Sequence, residues 1–274
     1  MTDALLRRMI ESYLSVPMAR YAIAFQGGEP LLMGEDFFRK AEEYGQGRIE
    51  FSVQTNATLV TPSLADFFAS SGWLIGVSPH TAECEKGILL LKERGVEYNV
   101  LKLITKDDLH APEALYHHLR DDLGAKYQQY IECSHPADYA INGADWGEFL
   151  CRLFDEWKRC GDEHTISVRN FDAIVTRLMT GREEMCQFAP YCHHYLVVDF
   201  KGDVYPCDFY VEDRWRLGNL AERSLSELYH SPKALEFAAR KRNYFDCPRS
   251  RGALDSGWRR FFDYATPYLS SLLG

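Results

Sequence analysis

An α/β fold, with a parallel sheet and helical crossovers followed by a smaller cysteine-rich domain, is what the sequence predicts. Three observations predict it. Short apolar runs alternate with helix-period segments over the first two-thirds of the chain. The helical segments begin and end on residues that favour helix ends. From Met185 the chain becomes punctuated by cysteines around a hairpin signal. Strand–helix alternation at this spacing requires right-handed crossovers, and sheets built that way bind ligands beyond the C-terminal ends of their strands.

Taken in order, residues 3–15 read as an amphipathic helix and Tyr21 to Phe25 as a short strand. A helix follows over 35–44, then a strand from Ile49 to Val53. Thr61-Pro62, a cap followed by a proline at the first turn, opens a helix to about Ser70. Trp73 to Val77 is a third strand, followed by a helix that stops at Gly95. Val96 to Ile104 is a fourth strand, 107–119 a helix with Pro112 near its first turn, and Tyr127 to Ile131 a fifth strand. Two longer helices are expected over 144–160 and 168–179. Residues 195–199 and 203–205 flank Lys201-Gly202 as a hairpin, and 224–241 reads as one helix. The domain boundary is expected near 181, giving domains of 1–180 and 181–274.

Composition narrows the function classes. The 274 residues carry a net charge of -9, and the most basic run is Arg240-Lys241-Arg242. A phosphate backbone is repelled by such a surface, so a nucleic-acid partner is not expected. No run approaches the roughly 20 apolar residues of a bilayer span, so no membrane partner is expected either. The N-terminus lacks the apolar run of a signal peptide, and a cytoplasmic location is expected. In that compartment eight cysteines are read as metal or redox groups rather than disulfides.

Four motifs carry the candidate chemistry. Cys186, Cys192, Cys207 and Cys247 lie on and around the hairpin, and soft thiolates there suit zinc or an iron–sulfur cluster. Buried thiols are the alternative on spacing alone, and that is the reading given to Cys84, Cys133, Cys151 and Cys160. Gly27-Gly28-Glu29-Pro30 follows the first strand: paired glycines allow close backbone approach, and Glu29 offers a carboxylate to an ammonium group. Gln54 and Asn56 alternate on one side of the second strand's end. Ser78 ends the third strand, where a hydroxyl can meet a sugar, and nearby His80 could serve as a base, although a lone histidine is more often a surface or capped residue.

In this order the motifs resemble the radical S-adenosylmethionine enzymes with a SPASM-type extension, nearest to the anaerobic sulfatase-maturating subgroup. Met9 to Leu14, Phe25 to Leu32 and Val204 to Asn219 carry the likeness. The resemblance implies a partial (β/α)6 barrel lacking its first strand, then a cysteine-rich hairpin and helix. It assigns Gly27, Gly28, Glu29 and Pro30 to the methionyl amino group of S-adenosylmethionine, with Gln54, Asn56 and Ser78 around the cofactor and Ser78 near its ribose. It assigns Cys186, Cys192, Cys207 and Cys247 to one auxiliary [4Fe–4S] cluster, and Asp208 to the base that takes a proton as a substrate radical is oxidised to an aldehyde. The implied substrate is a Cys or Ser side chain of a sulfatase, or another peptide.

Two departures from that pattern shape the expectations. The Cys-x3-Cys-x2-Cys loop that generates the radical would precede Met1, so this chain by itself is expected not to form the radical. The ligands of a second auxiliary cluster are replaced, with Asn243-Tyr244-Phe245 leading straight to Cys247. The alternative is a non-catalytic homologue that keeps one metal, such as zinc, and binds a peptide or protein partner.

Overall fold

The structure is a computed structural model that describes residues 1–134, 137–189, 191–241 and 255–273. Strands β1 (Tyr21–Phe25), β2 (Ile49–Thr55), β3 (Leu74–Val77), β4 (Tyr98–Ile104), β5 (Tyr127–Glu132) and β6 (Ser167–Val168) form one sheet in sequential order. Helices α1 (Asp3–Leu14), α2 (Glu35–Gly45), α3 (Pro62–Ser71), α4 (Ala82–Glu93), α5 (Pro112–His117), α6 (Gly143–Cys160) and α7 (Arg169–Thr180) alternate with them. A second sheet has the order β7 (Val197–Val198), β8 (Asp203–Tyr205), β9 (Gly218–Asn219). Helices α8 (Leu225–Tyr229), α9 (Pro232–Ala238) and α10 (Asp255–Leu272) complete the order. Among the described residues no helix is long and apolar enough to cross a membrane.

The described residues divide into two compact units. The first gathers Met1–Phe25, Leu31–Ser52 and Cys186–Arg249. In it α1 starts on Thr2, whose hydroxyl accepts the Leu5 N–H, and buries Leu6, Met9 and Ile10. Phe25 meets Phe37 edge-on at 5.3 Å and stacks with Phe51 at 6.1 Å. The β7–β8 turn is closed by the Asp199 carboxylate, which accepts N–H bonds from Lys201 at 2.8 Å and Asp203 at 2.9 Å. Gly202 takes a φ of +89°, the left-handed geometry such a turn requires. Strand β9 was not anticipated: Asp203 pairs with Asn219 and Val204 with Gly218, and Arg216 bonds Asp203 at 2.6 Å, holding that carboxyl below its ordinary range.

The second unit gathers Gln26–Pro30, Val53–Met185 and Ser250–Gly274. Here β3, β4 and β5 pair in parallel, as the crossover pattern predicted, and β6, which was not anticipated, continues the parallel pairing. Strand β6 pairs only at Tyr127↔Ser167 and Gln128↔Val168. Beyond it Asn170, fully buried, stands in for a continued strand: its Oδ1 accepts the Tyr130 N–H at 3.0 Å and its amide donates to the Tyr130 carbonyl at 2.9 Å. Helices α6 and α10 approach closely because both have glycine at the crossing. A Cβ on Gly257 would lie 2.2 Å from the Gly143 carbonyl oxygen. Beside that crossing Trp146 meets Trp258 at 5.5 Å, and Phe154 meets Phe171 at 5.2 Å and Phe261 at 5.9 Å.

Two expected helices are broken, both at proline. The 107–119 segment is a 3-10 turn over Lys106–His110 followed by α5, because Ala111, which precedes Pro112, leaves the helical region with φ -142°. The 224–241 segment is α8 then α9, because Ser231 caps a fresh start at Pro232, accepting the Ala234 N–H at 3.2 Å.

Replacing Asn170 by Ala strands a buried N–H and a buried C=O of Tyr130. We expect a loss of about 1–3 kcal/mol in urea unfolding; an unchanged midpoint would show that the clip is dispensable.

Candidate functional site

Between β1 and β2 the chain builds an anchored carboxylate. Gly27 and Gly28 have φ of +86° and +59°, and a Cβ on either would meet nothing within 4 Å. The glycines are therefore required by conformation, and they leave open room for a ligand against the backbone. Glu29 follows directly. One of its oxygens accepts the Thr55 hydroxyl at 2.6 Å and the other accepts the Asn56 N–H at 2.9 Å. Thr55 is only 2% exposed, and its Oγ1 also accepts the Ala57 N–H at 3.0 Å, which holds Ala57 at φ +63°. The Asn56 side-chain oxygen accepts the Thr58 N–H at 2.9 Å and the Thr58 hydroxyl at 2.7 Å. Asn56 thus holds Glu29 through its backbone while its side-chain oxygen closes a turn. Pro30 is buried and ends the loop.

The other two predicted contacts meet across neighbouring strands. The Gln54 amide donates to the Ser78 hydroxyl at 2.9 Å. It reaches Ser78 over Gly76, where a Cβ would sit 1.9 Å from Gln54 Oε1. The Ser78 N–H donates to the Thr55 carbonyl at 3.0 Å, so the Gln54–Ser78 pair and the Glu29–Thr55–Asn56 group form one connected set. This donor set fits an aminoacyl nucleoside: a carboxylate suits an ammonium group, and Ser78 offers a hydroxyl for a sugar. His80 is exposed.

In the first unit three of the four predicted metal cysteines lie on segments laced together. The Lys241 ammonium donates to the Cys186 carbonyl at 2.8 Å and the Gln187 carbonyl at 2.6 Å. The Cys192 N–H donates to the Ala238 carbonyl at 3.5 Å. The Tyr195 hydroxyl lies 3.7 Å from the Cys207 sulfur and donates to the Asp208 carboxylate at 2.5 Å. Burial pushes the Cys207 thiol up to about 12, so ionising it calls for a nearby cation or metal. Soft sulfur donors in that setting fit an iron–sulfur cluster. Cys247 lies outside the described residues. Of the four cysteines read as packed thiols, Cys84, Cys133 and Cys151 are buried, and Cys160 is half-exposed.

Thr55 and Asn99 were missed by the sequence reading. Thr55 had a signal, since it sits between the two amides of Gln54-Thr55-Asn56. Asn99 pairs with Gly76 across β3 and β4, and its Oδ1 would lie 3.3 Å from a Cβ there. Its only signal was an uncharged polar residue inside an apolar strand. Thr55→Val keeps the shape and removes the hydroxyl that serves Glu29 and Ala57. We expect it to cost about 1–3 kcal/mol in urea unfolding, and no loss would mean that Glu29 is held by Asn56 without it.

Comparison with known proteins bears on the fold and on the cysteine-bearing region. Residues 186–249 match SPASM, an iron–sulfur cluster-binding domain. A cysteine-type anaerobic sulfatase-maturating enzyme of Clostridium perfringens is 29% identical over 98% of this chain and 88% of its own length. A serine-type counterpart of Bacteroides thetaiotaomicron is 28% identical over 98% of this chain and 82% of its own. Among solved structures, native anSMEcpe with bound AdoMet and Cp18Cys peptide superposes with a TM-score of 0.88 at 28% identity, covering 99% of this chain and 91% of that one. In its fold and its cysteine-bearing domain the chain is similar to the radical S-adenosylmethionine enzymes of the SPASM type, near the anaerobic sulfatase-maturating enzymes.

Proposed function

We propose that the chain holds S-adenosylmethionine at Gly27, Gly28, Glu29 and Pro30, and an auxiliary [4Fe–4S] cluster at Cys186, Cys192, Cys207 and Cys247. The reaction it serves is the oxidation of a Cys or Ser side chain of a sulfatase-type peptide to formylglycine. The observation that carries the reading is the anchored Glu29 carboxylate beside two positive-φ glycines, in a chain alike to both cysteine-type and serine-type maturases.

The chain's own groups have distinct tasks. Glu29, fixed at both oxygens, receives the cofactor's ammonium without having to reorganise. Gln54 holds the Ser78 hydroxyl in position for a ribose, and Asn56 keeps its backbone donor on Glu29. Asp208 accepts the proton released as the substrate carbon is oxidised, with the Tyr195 hydroxyl fixing its orientation. When bound, the cluster supplies a one-electron acceptor.

Anaerobic reconstitution with iron and sulfide tests the metal assignment. We expect about four irons per chain and a broad visible absorbance, both lost in Cys207→Ala; a colourless chain holding one zinc would favour the binding-protein alternative. Activity is read by mass spectrometry of a Cys- or Ser-bearing sulfatase peptide. The chain is assayed by itself and joined to a Cys-x3-Cys-x2-Cys segment, to which the sequence reading assigns radical formation. Asp208→Asn should keep its iron yet lower aldehyde formation by about 100-fold or more. Full aldehyde yield in that variant would remove Asp208 from the reaction.

A further inference from the structure

The second unit brings together another set of metal-type donors, on residues the proposed reaction does not use. His117 is the last residue of α5, and Glu156 and Cys160 lie one turn apart on one face of α6. One ligand atom from each lies within 4.8 Å of the other two. His117 Nε2 is 2.5 Å from Glu156 Oε1, and Cys160 Sγ is 3.7 Å from the same oxygen. The Glu156 side chain is only 8% exposed, and a carboxylate that far from water needs a cationic partner. Its present one is Arg159, which bonds both oxygens at 2.5 and 2.7 Å but is itself 68% exposed and free to turn into solvent.

The surroundings match a metal site's outer shell. His117 Nδ1 lies 3.2 Å from Asp121 Oδ2, and in the tautomer that ligates through Nε2 its N–H donates to that carboxylate, while the Arg120 guanidinium, which can only donate, gives up its contact with Nδ1. Arg120 bonds Asp121 at 2.7 and 2.9 Å and Asp162 at 2.8 Å, and its guanidinium also reaches His117 Nδ1 at 2.9 Å. Three carboxylates, Asp121, Glu156 and Asp162, therefore face two guanidiniums, Arg120 and Arg159. One negative charge is in excess, and a Cys160 thiolate and the departure of Arg159 from Glu156 each add one more. A divalent cation offsets two of the three. A donor set of nitrogen, oxygen and sulfur selects zinc over magnesium or calcium, which take oxygen ligands.

We propose that His117 Nε2, a Glu156 carboxylate oxygen and Cys160 Sγ bind one zinc ion, with Asp121 orienting the imidazole and solvent at the fourth position. Binding displaces Arg159 from Glu156, releases the Cys160 proton to solvent, and ties the end of α5 to the last turn of α6.

The test uses the full chain, stripped with chelator under anaerobic reducing conditions without iron. Cys186→Ser/Cys207→Ser is the background, so that the cluster cysteines do not contribute. Zinc is titrated against a chromophoric competitor, and cobalt is then substituted to read thiolate charge transfer. We expect one zinc per chain, a raised thermal midpoint and a cobalt–thiolate band, all absent after Cys160→Ser and after His117→Gln. Asp121→Asn should bind about tenfold more weakly, and Arg159→Ala more tightly, since it removes the competing guanidinium. Circular dichroism checks that each variant is folded. No zinc bound at micromolar metal, or an equal equivalent in the Cys160→Ser chain, would overturn the proposal and leave an ion-pair cluster.

Discussion

Everything at the candidate cofactor site depends on the Glu29 carboxylate being held from both sides. A carboxylate in a strand-end loop would otherwise sample many rotamers, and binding would have to fix it each time. Here a hydroxyl from the last residue of β2 and the next backbone N–H fix it beforehand. Thr55 can do this because it is buried and already committed to the Ala57 N–H, which leaves its hydroxyl proton one direction to point. The left-handed Ala57 follows from that bond, and the Ala57 carbonyl lies so close to Gly87 of α4 that a Cβ there would come within 1.9 Å of it. The anchoring of one side chain thus reaches the packing of a helix.

Much of this was legible in the sequence because the strands end on polar residues. Gly27-Gly28-Glu29, Gln54 to Asn56 and Ser78 each terminate an apolar run, and strand ends are where a parallel sheet presents its ligands. The pairing of these residues was not legible. A one-dimensional pattern put Gln54 and Asn56 on the same side of the chain, which is correct for extended backbone. It did not show that Asn56 would work through its N–H while its side chain turned back to Thr58. Asn99 and Asn170 escaped notice for a related reason: each acts on a strand far off in sequence, and local periodicity has no record of register. Each of the two broken helices carries a proline that restarts it, and apolar spacing alone does not record such a restart.

The cysteine-bearing unit shows the same division. Its sequence spacing named the sulfur atoms, whereas the structure supplied what surrounds them: Lys241 on the Cys186 loop, Ala238 behind Cys192, and Tyr195 bridging Cys207 and Asp208. Burial raises the cost of deprotonating the Tyr195 phenol, and a charge on the thiol or the adjacent carboxylate it touches raises that cost further, so the two are related electrostatically through it. Cys160 was set aside as packing, and it is the one cysteine of that group that is not buried.

The Gln54 side chain crosses β3 at Gly76 on its way to Ser78. Position 76 is consequently more than a point in the sheet. Any residue with a side chain there would push the amide aside and release the serine two positions later, although residue 76 itself offers no polar group to a ligand. In a library of variants, exchanges at 54 and 76 would be expected to show strong epistasis: a shorter residue at 54 relieves a larger one at 76, while the pair together abandons the serine. The vacancy kept at one α-carbon is thereby a hidden determinant of how the Gln54–Ser78 pair is set, invisible to a search that scores functional groups alone.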